Sequence, residues 1–153
     1  MKNFSQSIFT KAIGYLVLLI IVITAAAIVF LPGVVDWYMK ESGAEGNRVR
    51  TILLVLLYPC GIMAALTEWE VFKIFKSVNQ NNPFVRENVK AFRRIAIYLF
   101  VIAAMFIVKI FMLNTLMTML GAFGFVVVGL LMLVLSDVFH QAVVYKEDND
   151  LTI

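Results

Sequence analysis

Residues 95–144 read IAIYLFVIAAMFIVKIFMLNTLMTMLGAFGFVVVGLLMLVLSDVFHQAVV, and this stretch decides the fold. At about 1.5 Å per residue, one helix of that length would reach roughly 75 Å. The hydrocarbon core of a bilayer is only about 30 Å thick. The polar break falls in the middle, at Asn114-Thr115-Leu116-Met117-Thr118. Two spans joined by a tight turn are therefore expected, one over 95–113 and one over 119–144. Gly121, Gly124 and Gly129 lie early in the second of these and suit close helix packing or a loosened helix start.

Two further apolar runs lie upstream. Residues 12–32 form an uncharged run closed by Pro32-Gly33. The run is longer than the roughly 7–15 apolar residues of a signal peptide, so it reads as an uncleaved span. Residues 51–67 form the next span, between Arg50 and Glu68. Pro59 removes a backbone donor there and is expected to bend the helix. Gly61 and Ala65 stand four apart, a spacing that lets helices approach closely. The chain is thus expected to be an all-α polytopic membrane protein, one domain over 1–153 with four transmembrane helices.

Composition agrees with that reading. Of the 153 residues, 62% are hydrophobic and 15% charged, and the mean hydropathy is +0.93. Soluble domains carry about 45–50% apolar and about 25% charged residues, so a soluble enzyme domain and a disordered tail are excluded. The single cysteine, Cys60, excludes an internal disulfide.

Lysine and arginine set the orientation. Lys2, Lys11, Lys73, Lys76, Arg86, Lys90, Arg93, Arg94 and Lys146 fall on one side of four spans; Lys40, Arg48 and Arg50 fall on the other. Nine against three puts both termini of a multi-pass protein in the cytoplasm.

Residues 68–94 carry most of the polar information. Val71, Phe72, Ile74, Phe75 and Val78 alternate with Glu70, Lys73, Lys76 and Ser77 at helical spacing. The second helix is therefore expected to continue to 78, beyond the bilayer. Asn79-Gln80-Asn81-Asn82 breaks it, and Asn82-Pro83 reads as a new start, with Asn as N-cap and Pro at the first helical position. The third helix would begin at 83, so helices 2 and 3 extend into a cytoplasmic hairpin. Its basic face of Arg86, Lys90, Arg93 and Arg94, with Trp69 at headgroup level, suits anchoring on the lipid bilayer. It equally suits docking of a soluble partner beside Asn82, Pro83 and Phe84. No direct nucleic-acid contact is expected, because the bases lie against the membrane and no recognition motif is present.

Ionisable residues in or near the spans are Glu68, Glu70, Lys109, Asp137 and His140. A charge at the centre of a span costs about 2.5–3.5 kcal/mol, so each calls for a reason. Asp137 and His140 share a face three residues apart and could pair with each other or with Arg93 and Arg94. Proton sensing and ion handling are the functional alternatives. Lys109 is expected to extend its stem toward the outer headgroups. No catalytic triad, zinc motif, phosphate loop or cofactor fingerprint occurs. The chain is read as not an enzyme, with no cofactor and no metal.

Four spans with inward termini, Asn82-Pro83-Phe84 heading a basic helix with Arg93-Arg94-Ile95, and the ending Glu147-Asp148-Asn149-Asp150-Leu151-Thr152-Ile153 resemble the YoaS-like family. These are small bacterial membrane proteins of unknown function. Its members are often encoded beside a Cro/CI-type helix-turn-helix regulator, so the resemblance implies a membrane sensor or tether for such a regulator. It implies no catalytic residues. The alternative is a small transporter or channel subunit acting as a homo-oligomer, motivated by Lys109, Pro59 and the Asp137–His140 pair. Self-immunity against a membrane-active peptide is a third class. The tail, with Asp150, Leu151 and Ile153, is expected to dock on protein, either its own hairpin or the regulator, because its acids are repelled by anionic lipid.

Overall fold

The computed structural model describes residues 2–43, 46–112 and 115–150. Among these, every regular element is a helix: α1 (Lys2–Val29), α2 (Leu31–Ser42), α3 (Asn47–Asn79), α4 (Arg86–Met112) and α5 (Leu116–Asp150). Four of them, α1, α3, α4 and α5, are long and apolar enough to cross a membrane. The all-α, four-span expectation holds.

The first boundary moves. The helix breaks at Phe30, two residues before Pro32, because a proline ring presses on the carbonyl four residues back and offers no N–H. Pro32 instead sits in the first turn of α2, where neither defect matters. Much of the outer segment is therefore helical. Gly43, at φ +65°, ends α2 in the left-handed region and returns its N–H to the Met39 carbonyl, a conformation that costs glycine little. Arg50 of α3 grips Asp36 of α2 with two hydrogen bonds, Nε to Oδ1 at 2.6 Å and Nη2 to Oδ2 at 3.1 Å. The Arg50 guanidinium holds the Asp36 carboxyl below the usual carboxylate range.

α3 starts four residues earlier than expected and passes through Pro59 without interruption. It ends as the asparagine run foretells. Asn81 takes φ +57°, its N–H bonds the Val78 carbonyl, and the Asn82 N–H bonds the Ser77 carbonyl. This is a Schellman closure with asparagine in the position glycine usually takes.

The expected start of α4 is corrected. Pro83, Phe84 and Val85 are not helical, and the Val85 carbonyl accepts the first helical N–H groups, from Asn88 and Val89. Asn82 is not the cap, because its Oδ1 accepts from Lys146 Nζ at 2.7 Å. Asn88 instead reaches back to the Pro83 carbonyl at 2.7 Å and to Ser77 Oγ at 2.5 Å. α5 also begins early, at Leu116, where Thr115 caps it by accepting the Thr118 N–H at 3.3 Å. It continues to Asp150, so the residues after 144 extend the helix. Leu151 and Ile153 lie outside the described residues.

The spans form an open row. α1 packs on α3, α3 on α4 and α4 on α5, with α2 against α1 and α3. Among the described residues, α1 has no backbone neighbours in α4 or α5. Small residues set the closest approaches. A methyl group on Gly121 would lie 2.8 Å from the Phe106 ring, and one on Gly129 would lie 2.8 Å from the Phe100 ring. Gly61 opposes Ile28 of α1 in the same way, while Gly124 faces open space.

The row is not level. Glu70 of α3 meets Arg94 of α4, and Lys109 of α4 meets Thr118 of α5, which sets the apolar parts of these three helices side by side. On the other flank, Thr24 meets Glu68, and Tyr15 and Leu18 lie beside Phe75 and Lys76. The apolar part of α1 is thus displaced by about ten residues, roughly 15 Å, toward the end that carries the hairpin.

Candidate functional site

The hairpin end of the molecule gathers most of the polar side chains singled out in the sequence. Three chain segments meet there: the turn 80–85, the first turns of α4 and the last turns of α5. Arg86 donates twice to Glu147, Nε to Oε1 at 2.9 Å and Nη2 to Oε2 at 2.7 Å. Lys146 donates to Asn82, so α5 is tied to both the turn and α4. The Arg86 guanidinium lowers the Glu147 carboxyl below its ordinary value, and Glu147 raises that of Arg86 in return. Phe84 lies against the Phe139 ring, centroids 5.6 Å apart, with 43% of its surface exposed. Phe139 also packs on Phe92 at 4.8 Å. Glu147 and Lys146, at the start of the tail, thus contact the hairpin. Asp150 is the last residue of α5.

Between α3 and α4 a polar core holds the hairpin together. Glu70, which the sequence places on the polar face, is buried at 5% exposure. Its Oε1 accepts from Lys73 at 2.7 Å and its Oε2 lies 3.1 Å from Arg94. The Arg94 approach is an ion pair without hydrogen-bond alignment. Asn88 is likewise buried. Neither was identified as buried by the sequence reading, although Asn88 stands three and four residues before the apolar Ala91 and Phe92, the spacing of a shared helix face.

The remaining charges separate into two groups. Glu68 accepts from Thr24 Oγ1 at 2.6 Å, while its second oxygen, also buried, finds no hydrogen-bond partner among the described residues. Lys109 Nζ donates to Thr118 Oγ1 at 3.2 Å, and Thr118 pairs with Thr115 at 2.6 Å. This hydroxyl pair gives the ammonium a protein partner at the turn. Asp137 and His140 face a cavity of about 350 Å³ with Lys90 and Arg93 between α4 and α5. Among the described residues no ion pair joins Asp137 to His140, Arg93 or Arg94. The structure thus gathers Asp137 and His140 with the bases of α4, and keeps Glu68 and Lys109 apart from them.

A family model described as a protein of unknown function, DUF2975, matches residues 34–153. The chain belongs to that family, with the match running from α2 through the end of the chain. No curated protein and no solved structure matches it.

Proposed function

We propose that this DUF2975 member is a regulatory protein of the bacterial plasma membrane that holds or releases a soluble transcriptional regulator on its hairpin end. One observation carries the reading. The turn 80–85, the start of α4 and the end of α5 are fastened to one another by Arg86–Glu147 and Lys146–Asn82, with the Phe84 ring partly exposed among them. A cross-linked polar surface with an aromatic anchor is a form suited to protein docking. The nine-to-three bias of bases supports a cytoplasmic hairpin. The YoaS-like resemblance supports a helix-turn-helix regulator as the occupant. That regulator, and not this chain, would touch DNA. In this reading the chain catalyses no reaction. Transport by one copy is disfavoured because an open row of helices encloses no path, and Lys109 is already engaged by Thr118.

The test is co-expression of the full chain with a Cro/CI-type helix-turn-helix protein found encoded beside its gene, read by two-hybrid signal and by co-elution in detergent; a gene neighbourhood without one counts against the reading. Binding is expected. A Phe84→Ala, Arg86→Glu variant is expected to lose it at least tenfold. Absence of binding, or binding indifferent to that variant, overturns the proposal.

A further inference from the structure

The cavity between α4 and α5 holds charged groups that the protein itself leaves unused. Lys90 and Arg93 of α4 line it with Asp137 and His140 of α5. Arg86 and Val89 line it as well; Arg86 is engaged by Glu147, and the neighbouring Arg94 by Glu70. Among the described residues, Lys90, Arg93, Asp137 and His140 have no side-chain hydrogen bond or ion pair. Two bases and a carboxylate converge, open to the outside, on a space of about 350 Å³, within the size range of small-molecule sites.

The position of this cavity selects its ligand. The apolar run of α4 begins at Ile95, and that of α5 ends at Leu135. Arg93 and Lys90 therefore lie about 3 and 8 Å beyond the hydrocarbon edge, at the depth of lipid phosphates. Above the cavity the same helix faces turn apolar. Ile97 stands four residues from Arg93, and Leu130 seven from Asp137, each with about half its surface exposed. A ligand with a charged head below and a hydrocarbon chain above matches this surface along its whole length.

We propose that the cavity binds the head of a membrane phospholipid. Lys90 and Arg93 hold the phosphodiester, and Asp137 accepts a hydrogen bond from the distal end of the head. The carboxylate makes the site selective. An ethanolamine ammonium or a glycerol hydroxyl donates to it, whereas choline brings no N–H or O–H. His140, three residues farther from the bilayer than Asp137 on the same wall, adds a ring N–H donor toward the distal end of the head. The site adjoins the regulator-docking surface and shares the lining residue Arg86 with it, but the side chains assigned here, Lys90, Arg93 and Asp137, are separate from Phe84 and the Arg86–Glu147 tie.

The experiment uses the full chain, delipidated in detergent. Thermal unfolding and native mass spectrometry are recorded with phosphatidylethanolamine, phosphatidylglycerol, phosphatidylcholine or inorganic phosphate. The first two are expected to stay bound and to raise Tm, with at least fivefold weaker retention of the choline lipid and no effect of millimolar phosphate. Lys90→Gln with Arg93→Gln is expected to cut retention of every lipid at least tenfold. Asp137→Asn is expected to keep binding but lose the discrimination against choline. Because Lys90, Arg93 and Asp137 make no side-chain hydrogen bond or ion pair among the described residues, the lipid-free Tm of the variants is expected to match the parent. Undiminished retention in the double variant overturns the proposal. So does equal binding of choline lipid by the parent, and so does saturation by inorganic phosphate, which would make the site one for a soluble anion.

Discussion

At the scale of single residues, Thr24 and Glu68 make the clearest test of how α1 is held. Thr24 is the side chain through which α1 donates a hydrogen bond to α3 among the described residues, and interhelical hydrogen bonds in membranes contribute about 0.6–1.7 kcal/mol. A double-mutant cycle of Thr24→Val and Glu68→Leu, read by unfolding in detergent, is expected to give a coupling of about 1 kcal/mol; a coupling near zero would assign the contact to packing alone. The Arg86–Glu147 pair predicts a pH dependence whose sign is fixed. Its carboxyl titrates below the ordinary glutamate value because of the guanidinium, so the folded state binds fewer protons there than the unfolded one. The tie is therefore complete above the ordinary glutamate value and is lost as pH falls through the lowered one. Amide exchange in the last turns of α5 is expected to quicken over that acid window, and Glu147→Gln is expected to remove the pH dependence. An acid response that survives in Glu147→Gln would place the titrating group elsewhere.

At the scale of elements, the glycines divide by what faces them. Gly121→Ala and Gly129→Ala place a methyl group against aromatic rings already in contact range, and overpacking of this kind costs about 1–3 kcal/mol. Gly124→Ala, with nothing near it, is expected to leave stability unchanged or slightly raised, since alanine favours helix. Thermal unfolding of the three variants checks the order, and an equal cost for all three would refute the close α4–α5 packing. The sequence made the four spans legible because each is a continuous apolar run, and the hairpin legible because its polar residues follow helical spacing. Helix starts were less legible. Asn82-Pro83 has the form of a start, but Lys146, sixty-four residues away, competes for the Asn82 oxygen. The burial of Glu70 was not legible because its partner Arg94 lies on another helix. α2 was missed because a short interfacial helix with Trp37, Asp36 and Lys40 has no long apolar run to announce it. Of the candidate site, the bases were visible in sequence, but which were engaged and which were free required the neighbouring helix.

At the scale of the whole molecule, the hairpin end and the α2 end are expected on opposite sides of the membrane. In a Cys60→Ala background, a cysteine at Phe84 is expected to react with an impermeant maleimide only after permeabilisation, and one at Trp37 in intact cells; the reverse pattern would invert the topology. The uneven row has its own consequence for the bilayer. Tyr15, Leu16 and Leu19 expose apolar surface at a height where, across the molecule, the polar side chains of Arg93 and His140 are exposed. An inner monolayer of one thickness cannot satisfy both flanks. Mismatch costs fractions of a kcal/mol per Å, so an offset of roughly 15 Å amounts to several kcal/mol if the lipid alone adapts. The offset falls at the single α1–α3 step, because α3, α4 and α5 are level, so a lean of the bundle within the about 0–40° that spanning helices adopt shares the mismatch between the flanks without removing it. A membrane that thins, thickens or bends is then expected to press on the two flanks unequally.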